Sequence, residues 1–181
     1  FLFRSTYDAV QTNGLWLIHH AEGGRREPVD SFEAHASIAS IGICDWVIVA
    51  TKTTANPSLC ESIRPLIGEG TSLLTLQNGM GNVENLADGF GADRTILAGL
   101  CFTCINRTAP NVIESLVPGY VQFGEFGRPV SEKGMGMAQA FESAGVRIRV
   151  AESLESFKKG VEAGTSGQLL KKAGFWQSSL G

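Results

Sequence analysis

Two apolar runs, residues 44–50 and 72–76, give the clearest pattern in the chain. Continuous apolar stretches of this length are typical of strands that are buried on both faces of a parallel sheet. Each run ends in polar residues, Thr51-Lys52 after the first and Gln77-Asn78-Gly79 after the second. Ligands of open α/β sheets bind just beyond the carboxyl ends of the strands. We therefore expect Lys52 and Asn78 to lie side by side at the mouth of one crevice.

Helical patterns alternate with these strands. Residues 56–68 place apolar side chains on one helical face, with Asn56 expected as the N-cap and Pro57 at the first helical position. Residues 82–90 form a second amphipathic stretch, and residues 95–98 form a third short buried strand. Alternation of this kind predicts a parallel sheet with crossover helices.

The rest of the chain has shorter patterns. Before the first apolar run we expect a buried strand end at 1–3, helical turns at 6–11, a strand at 15–19 and an exposed hairpin or loop at 21–27. After Gly99, strand-like segments at 100–105, 111–117 and 120–123 are split by Ala109-Pro110 and Pro118-Gly119. These segments predict antiparallel strands added at the sheet's edge. A helix over 131–144, a strand over 146–150 and a helix beginning at 153–159 follow.

Composition narrows the class of protein. The chain has 181 residues, of which 43% are hydrophobic and 18% charged, as expected of a soluble globular α/β protein. A net charge of −3 gives no electrostatic reason to expect nucleic acid or a membrane surface as a partner, and no apolar run approaches the roughly 20 residues that span a bilayer. Cys44 and Cys60 lie in apolar or helical contexts that favour buried thiols, hence a reducing, cytoplasmic compartment.

Three residues are candidates for ligand binding. Lys52 can bond ribose, phosphate or carboxylate oxygens, although a solvated lysine at a strand end is the plainer interpretation. Asn78 is more specific, because its amide both donates and accepts while Gly79 and Gly81 let a ligand approach the backbone; the alternative is a turn asparagine. Arg4 follows a strand end and can hold a 2′-phosphate, or be a surface arginine.

Other motifs give little support for a functional site. Gly134-Met135-Gly136 follows no buried strand and lacks a third glycine, so a dinucleotide motif is rejected there. Cys101 and Cys104 have the spacing of a redox or metal pair but no second pair, which favours two packed thiols. The three histidines lack the helical spacing of metal ligands, and no Gly-x-Ser-x-Gly elbow supports acyl transfer. No metal is expected.

Several segments together resemble one family, the ketopantoate reductases (2-dehydropantoate 2-reductases). The matching segments are Phe3-Arg4-Ser5, Val49-Ala50-Thr51-Lys52-Thr53, Leu76-Gln77-Asn78-Gly79-Met80-Gly81-Asn82, Leu97-Ala98-Gly99, Pro110-Asn111-Val112-Ile113 and Phe123-Gly124-Glu125. Their order and spacing cover most of residues 1–159. The resemblance implies a Rossmann-like N-terminal domain that binds NADPH and a helical C-terminal domain that closes over it.

The resemblance also implies roles for single residues. Arg4 would meet the 2′-phosphate of NADPH, Lys52 and Gly79 would contact the cofactor, Asn78 would touch both cofactor and substrate, and the backbone near Ile105 would line the nicotinamide side. The reaction implied is hydride transfer from NADPH to the ketone of a 2-oxo acid, and a lysine then protonates the alkoxide. Lys159 is the nearest candidate for that lysine. A homodimer is expected only of the full-length parent.

The chain departs from the family pattern at both ends. The family's first strand and its glycine-rich turn have no counterpart here, so we expect an incomplete Rossmann-like parallel sheet with an antiparallel extension. The expected domains are a partial NADP-binding domain over 1–151, the start of a helical domain over 152–160, and a divergent tail over 161–181 that reads as a frameshift. Two rival hypotheses remain: an inactive fragment or pseudogene product, and a related 2-oxo or hydroxy acid dehydrogenase.

Overall fold

The structure, a computed structural model, describes residues 6–153 and Ser156. Within these residues seven strands form one mixed sheet. The helices are α1 (Tyr7–Asn13), α2 (Asn56–Ile63), α3 (Asn82–Phe90) and α4 (Glu132–Ser143). The strands are β1 (Leu15–His19), β2 (Arg25–Val29), β3 (Trp46–Val49), β4 (Ser72–Thr75), β5 (Ile96–Ala109), β6 (Val112–Glu125) and β7 (Ile148–Val150). Their order is β2-β1-β6-β5-β4-β3, and β7 also pairs with β6.

The parallel half of the sheet is the predicted one. β3, β4 and β5 run parallel, and α2 and α3 connect them as crossover helices. Both helices bury their apolar positions against one face of the sheet, together with Val47, Val49, Leu73, Ile96 and Ala98. Burial of this apolar surface, at roughly 25 cal/mol per Å², is the main term that holds helices to sheet.

The long hairpin of β5 and β6 differs from the sequence expectation. The prediction of separate strands at 95–98 and 100–105 was wrong, because β5 runs unbroken through Gly99. The predicted break at Pro118-Gly119 was wrong as well. A register shift next to Phe102 accommodates the irregularity, and Gly119 has φ +59° with its backbone against the Phe102 carbonyl, where a Cβ would clash. The expected split at Ala109-Pro110 is the hairpin turn.

We expected the antiparallel strands after Gly99 to lie at the sheet's edge, and this prediction was wrong. β6 pairs antiparallel with β5 on one side, while β1 and β7 pair parallel with it on the other. β2 then pairs antiparallel with β1, so the predicted strand at 15–19 and part of the exposed hairpin or loop predicted at 21–27 form one hairpin over 15–29. Local turn signals could not reveal this order, because β1 and its partner β6 are more than 90 residues apart in the sequence.

Helix α4 covers the centre of the second face, over Leu74, Leu97, Val121 and Phe123. It does not extend to the outer strand β3, where Ile48 is 46% exposed. The expectation that residues 44–50 are buried on both faces was therefore wrong for Ile48. A strand at the edge of the described sheet has only one covered face, although its apolar sequence resembles that of a central strand.

The remaining predicted elements are present, with different bounds in places: the helix expected over 56–68 ends at Ile63, and a 3-10 turn over Arg64–Leu66 follows it. α1 ends before Gly14, and α4 begins after Ser131, whose hydroxyl accepts from the Gly134 amide. β7 is shorter than expected, at three residues. The predicted strand at 1–3, most of the helix expected at 153–159 and the tail from 161 lie outside the described residues. No helix among the described residues is long and apolar enough to cross a bilayer.

Candidate functional site

The carboxyl ends of β3 and β4 meet at one place. Val49 of β3 lies opposite Thr75 of β4, and the Leu76 amide donates to the Val49 carbonyl at 2.8 Å, so the pairing continues to the strand ends. Lys52 follows three residues after Val49, and Asn78 follows three residues after Thr75. The structure therefore places the two candidate residues in neighbouring loops at the same edge of the sheet.

The buried side chain of Gln77 ties the two loops together. Its Nε2 donates to Thr51 Oγ1 at 3.3 Å and to Asn56 Oδ1 at 2.9 Å. Its Oε1 accepts from the Thr75 hydroxyl at 3.1 Å. Since Gln77 is only 6% exposed, its polar atoms need these partners in place of water. The loop after β4 is thereby fixed to the loop after β3.

A second buried amide, Asn82, fastens the loop that contains Asn78. Asn82 Nδ2 donates to the carbonyls of Gln77, Asn78 and Gly79 at 3.4, 3.1 and 3.2 Å. Its Oδ1 accepts from Asn56 Nδ2 at 2.8 Å. One side chain in the first turn of α3 thus holds three successive carbonyls of the preceding loop.

Asn56 bridges these two amides, which corrects its predicted role. It was expected to be the N-cap of the helix, but the N-cap is Ala55 and Asn56 is the first helical residue. Its side chain is used across the loops instead of on its own helix. Sequence reasoning missed the joint role of Asn56, Gln77 and Asn82, because their spacing along the chain has no recognisable period.

Lys52 and Asn78, unlike the buried amides Gln77 and Asn82, lie at the surface. Both are exposed, and within the part of the chain that the structure describes neither side chain has a hydrogen-bond or ion-pair partner. An ammonium group supplies three donors, and an amide supplies two donors and an acceptor. The surrounding amides are occupied with one another, whereas these two groups remain available to meet a ligand.

The loop between them and α3 is open to close approach. Gly79 and Gly81 have φ +97° and +85°, a region that side chains other than glycine rarely adopt. No atom lies within 4 Å of the position a Cβ would take at either glycine. Gly81 is also the N-cap of α3, so backbone amides at the helix start face the same loop. A free lysine, a free amide and an open glycine loop suit an anionic, hydrogen-bonding ligand.

Ile105, another predicted cofactor contact, lies on β5 and not in either of these two loops. Ile105 is 51% exposed and lies on β5, seven residues after Ala98, which is the residue paired with Thr75. It therefore belongs to the arm of the hairpin that extends past the strand ends. Arg4 and Lys159 lie outside the described residues, so their roles stay predictions.

Each of the three histidines has a polar side-chain partner. His19 Nε2 is 2.9 Å from Glu27 Oε1, and His20 Nε2 is 2.8 Å from Glu114 Oε2. His35 bonds a serine hydroxyl through Nδ1 at 2.9 Å. His19 is the last residue of β1, in agreement with the strand predicted at 15–19.

The cysteine pair lies on β5. Cys101 packs against the apolar cluster under α4, and burial raises the pKa of its thiol. Burial also raises the pKa of the Cys60 thiol, which donates toward the Asn85 carbonyl. A raised pKa lowers the thiolate fraction and with it the reactivity of a cysteine. These environments favour packed thiols.

Parallel strands, crossover helices and polar glycine-bearing loops at the strand ends define a Rossmann-like α/β protein. The chain belongs to the ketopantoate reductase family: the family model described as "Ketopantoate reductase PanE/ApbA" matches residues 1–128. This confirms the resemblance drawn from the motifs at residues 49–53 and 76–82.

Individual relatives agree with the family. A 2-dehydropantoate 2-reductase of Nostoc is 32% identical over 159 residues, which are 85% of this chain and 49% of the relative. The crystal structure of a 2-dehydropantoate 2-reductase of Geobacter metallireducens matches with a TM-score of 0.77 at 38% identity, over 84% of this chain and 49% of that one. The enzyme of Methylococcus capsulatus shares the fold at a TM-score of 0.77 and 23% identity, over 94% and 55% of the two chains. The chain spans about half the length of the relatives it matches.

Proposed function

We propose that this chain forms the cofactor-binding part of an NADPH-dependent reductase that acts on 2-dehydropantoate or a closely related 2-oxo acid. One observation carries the proposal. Lys52 and Asn78 stand without partners among the described residues, at the ends of adjacent parallel strands, in loops that a buried amide network holds together. Polar groups that are exposed but precisely supported are typical of ligand-binding sites.

The chain offers donors that suit a dinucleotide. Lys52 would donate to phosphate or ribose oxygens as a compact cation, and the open backbone at Gly79 would allow the cofactor to approach closely. Arg4 would select NADPH over NADH by its charge on the 2′-phosphate, and Ile105 would contribute backbone beside the nicotinamide. NADPH supplies the hydride, while the protein binds and orients the reactants.

The proposed binding and reduction of the 2-oxo acid involve fewer residues of this chain. Asn78 would bond both the cofactor and the 2-oxo acid, since one amide can donate to an oxygen and accept from a hydroxyl. Lys159 would donate the proton to the oxygen of the reduced ketone as a general acid. A cytoplasmic location, and a homodimer of the full-length parent, complete the proposal.

The first experiment is a fluorescence titration of the purified chain with NADPH and, in parallel, with NADH. We expect saturable binding that favours NADPH and that weakens by about tenfold in Lys52→Ala, which corresponds to roughly 1.4 kcal/mol of binding free energy. Lys133→Ala is the matched control, because Lys133 is exposed and donates instead to the Gly70 carbonyl, in the loop that precedes β4. No binding by a folded chain, or an equal loss in both variants, would leave the family membership as ancestry alone.

A further inference from the structure

Asn56 occupies the middle of the amide network and touches both loops of the candidate site. Its Oδ1 accepts from Gln77, which in turn donates to Thr51 in the loop that leads to Lys52. Its Nδ2 donates to Asn82, the side chain that holds the carbonyls around Asn78. Gln77 also reaches Thr51 directly, and Asn56 joins this link to Asn82 and so to the loop around Asn78.

The neighbours of Asn56 have no ready substitute for it. Gln77 is 6% and Asn82 is 5% exposed, so water cannot easily replace a lost partner. Hydrogen-bonded amides in a chain also polarise and orient one another, so the loss of the central member affects both ends. The hydrogen bonds of the Asn56 side chain go to Gln77 and Asn82, not to Lys52 or Asn78.

We propose that Asn56 is a positioning residue that sets the separation between Lys52 and Asn78 and thereby preorganises the cofactor site. The inference rests on the proposed function for its effect on NADPH, but not for its effect on the loops. A site whose polar groups are held in place before binding pays less conformational entropy when the ligand arrives. Asn56 acts through Gln77 and Asn82, without touching the ligand.

The central test compares NADPH binding by the full chain and by Asn56→Ala. We expect binding to weaken by about five- to tenfold, since Gln77 and Asn82 both lose the side chain that orients them. Asn111→Ala is the matched control: Asn111 also makes a side-chain hydrogen bond to a loop carbonyl, that of Gly14 at 2.9 Å, in the turn before β6 and away from the loops after β3 and β4. This control should bind NADPH as the unmodified chain does.

A double-mutant cycle separates positioning from general destabilisation. If Asn56 positions Lys52, then Lys52→Ala should weaken binding by a smaller factor in the Asn56→Ala background than in the unmodified chain. If Asn56 only contributes to stability, the two losses multiply and the cycle shows no coupling. Multiplying losses would overturn the inference.

A readout without cofactor keeps the inference independent of the proposed function. Amide resonances of Gly79 and Gly81 in a ¹⁵N–¹H spectrum report the loop directly, and Asn56→Ala should shift them and speed their solvent exchange. Asn56→Asp keeps an acceptor for Gln77 at the same length and should return these resonances part of the way. Shifted resonances in a chain that binds no NADPH would support the loop role and reject the proposed function.

Unchanged glycine resonances in either folded variant would overturn the inference. Should Asn56→Ala fail to fold, the Asn56→Asp spectrum decides alone, because the carboxylate has the same shape, keeps an acceptor for Gln77 and replaces the donor to Asn82 with a negatively charged acceptor.

Discussion

Lys52 and Asn78 stand at matching positions beyond the ends of two neighbouring strands. Val49 of β3 pairs with Thr75 of β4, and Lys52 and Asn78 each follow their own member of this pair by three residues. The hydrogen bonds among Thr51, Asn56 and Gln77 join the two loops that bear them. Because parallel strands present their carboxyl ends at one edge, two short polar segments far apart in sequence come to form one site.

Replacement of Asn78 by alanine should weaken NADPH binding without affecting stability. The exposed amide has no partner among the described residues, so its loss removes only contacts made to a ligand. We expect about a three- to tenfold higher Kd, roughly 1 kcal/mol for one hydrogen-bonding group, and a change in unfolding free energy within about 0.5 kcal/mol. Titration and thermal unfolding measure the two effects. Gln139→Ala, an exposed amide on α4, should change neither.

Gly81 needs its left-handed backbone, which gives a second prediction. At φ +85° an alanine at this position should cost roughly 1–2 kcal/mol of unfolding free energy, and it should disturb the start of α3 as well. Gly70 is the matched control, since it too has open space around a Cβ but no positive φ. Gly70→Ala should be neutral or stabilise by up to about 1 kcal/mol. Equal effects of the two substitutions in denaturant unfolding would contradict this account.

A buried carboxylate, Glu125, closes the connection from β6 to α4. It is fully buried, accepts from Arg128 Nε at 2.7 Å and accepts from the Ser131 amide at 2.6 Å. Glu125→Ala should lower the unfolding free energy by about 3 kcal/mol, at the lower end for a broken buried pair because the Arg128 side chain is 42% exposed.

Glu125→Gln keeps the shape and one acceptor, so it should cost clearly less, about 1–2 kcal/mol. Glu142→Ala, on the exposed surface of α4, is the control and should be close to neutral. Urea unfolding of the three variants gives the comparison. A Glu125→Ala protein as stable as the control would show that the buried carboxylate does not support the fold.

The contact between His20 and Glu114 predicts acid sensitivity at the β1–β2 hairpin. The hydrogen bond from His20, followed by one from Thr108, holds the pKa of Glu114 below its ordinary value. Because the folded pKa is depressed, the stabilisation is present above the unfolded carboxyl pKa of about 4.3 and is lost as pH falls through the folded value. Unfolding free energy should therefore drop more between pH 5 and pH 3 in the unmodified chain than in Glu114→Gln. Glu61→Gln, an exposed carboxyl of α2, should keep the full drop.

The sequence predicts the parallel half of the fold well, and physical reasons explain the rest. The alternating strands and helices from Trp46 to Phe90 follow from hydrophobic period and from signals such as Pro57. The continuous path of β6 through Pro118 does not follow from such signals. A register shift beside Phe102, on the partner strand, decides whether Pro118 and Gly119 interrupt β6 or only bend it. Local sequence contains no information on that partner.

The candidate site could be predicted only in part for a similar reason. Lys52 and Asn78 follow apolar runs, so their place at strand ends can be inferred from the pattern alone. Asn56 lies in an ordinary helix-start sequence. Its role as a hydrogen-bonded bridge depends on Gln77 and Asn82, which are 21 and 26 residues away. Polar networks that join separate loops leave no periodic signal, which is why the structure was needed to find them.

The most direct test of the central claim is to map where NADPH contacts the chain. A ¹⁵N-labelled sample titrated with NADPH should show amide shifts concentrated in residues 51–56 and 77–82, saturating together, with little change in β2 at Arg25–Val29. Joint saturation would mean that the loops after β3 and β4 form one cofactor site. Shifts in only one of these loops, or shifts centred on the β1–β2 hairpin, would contradict the account.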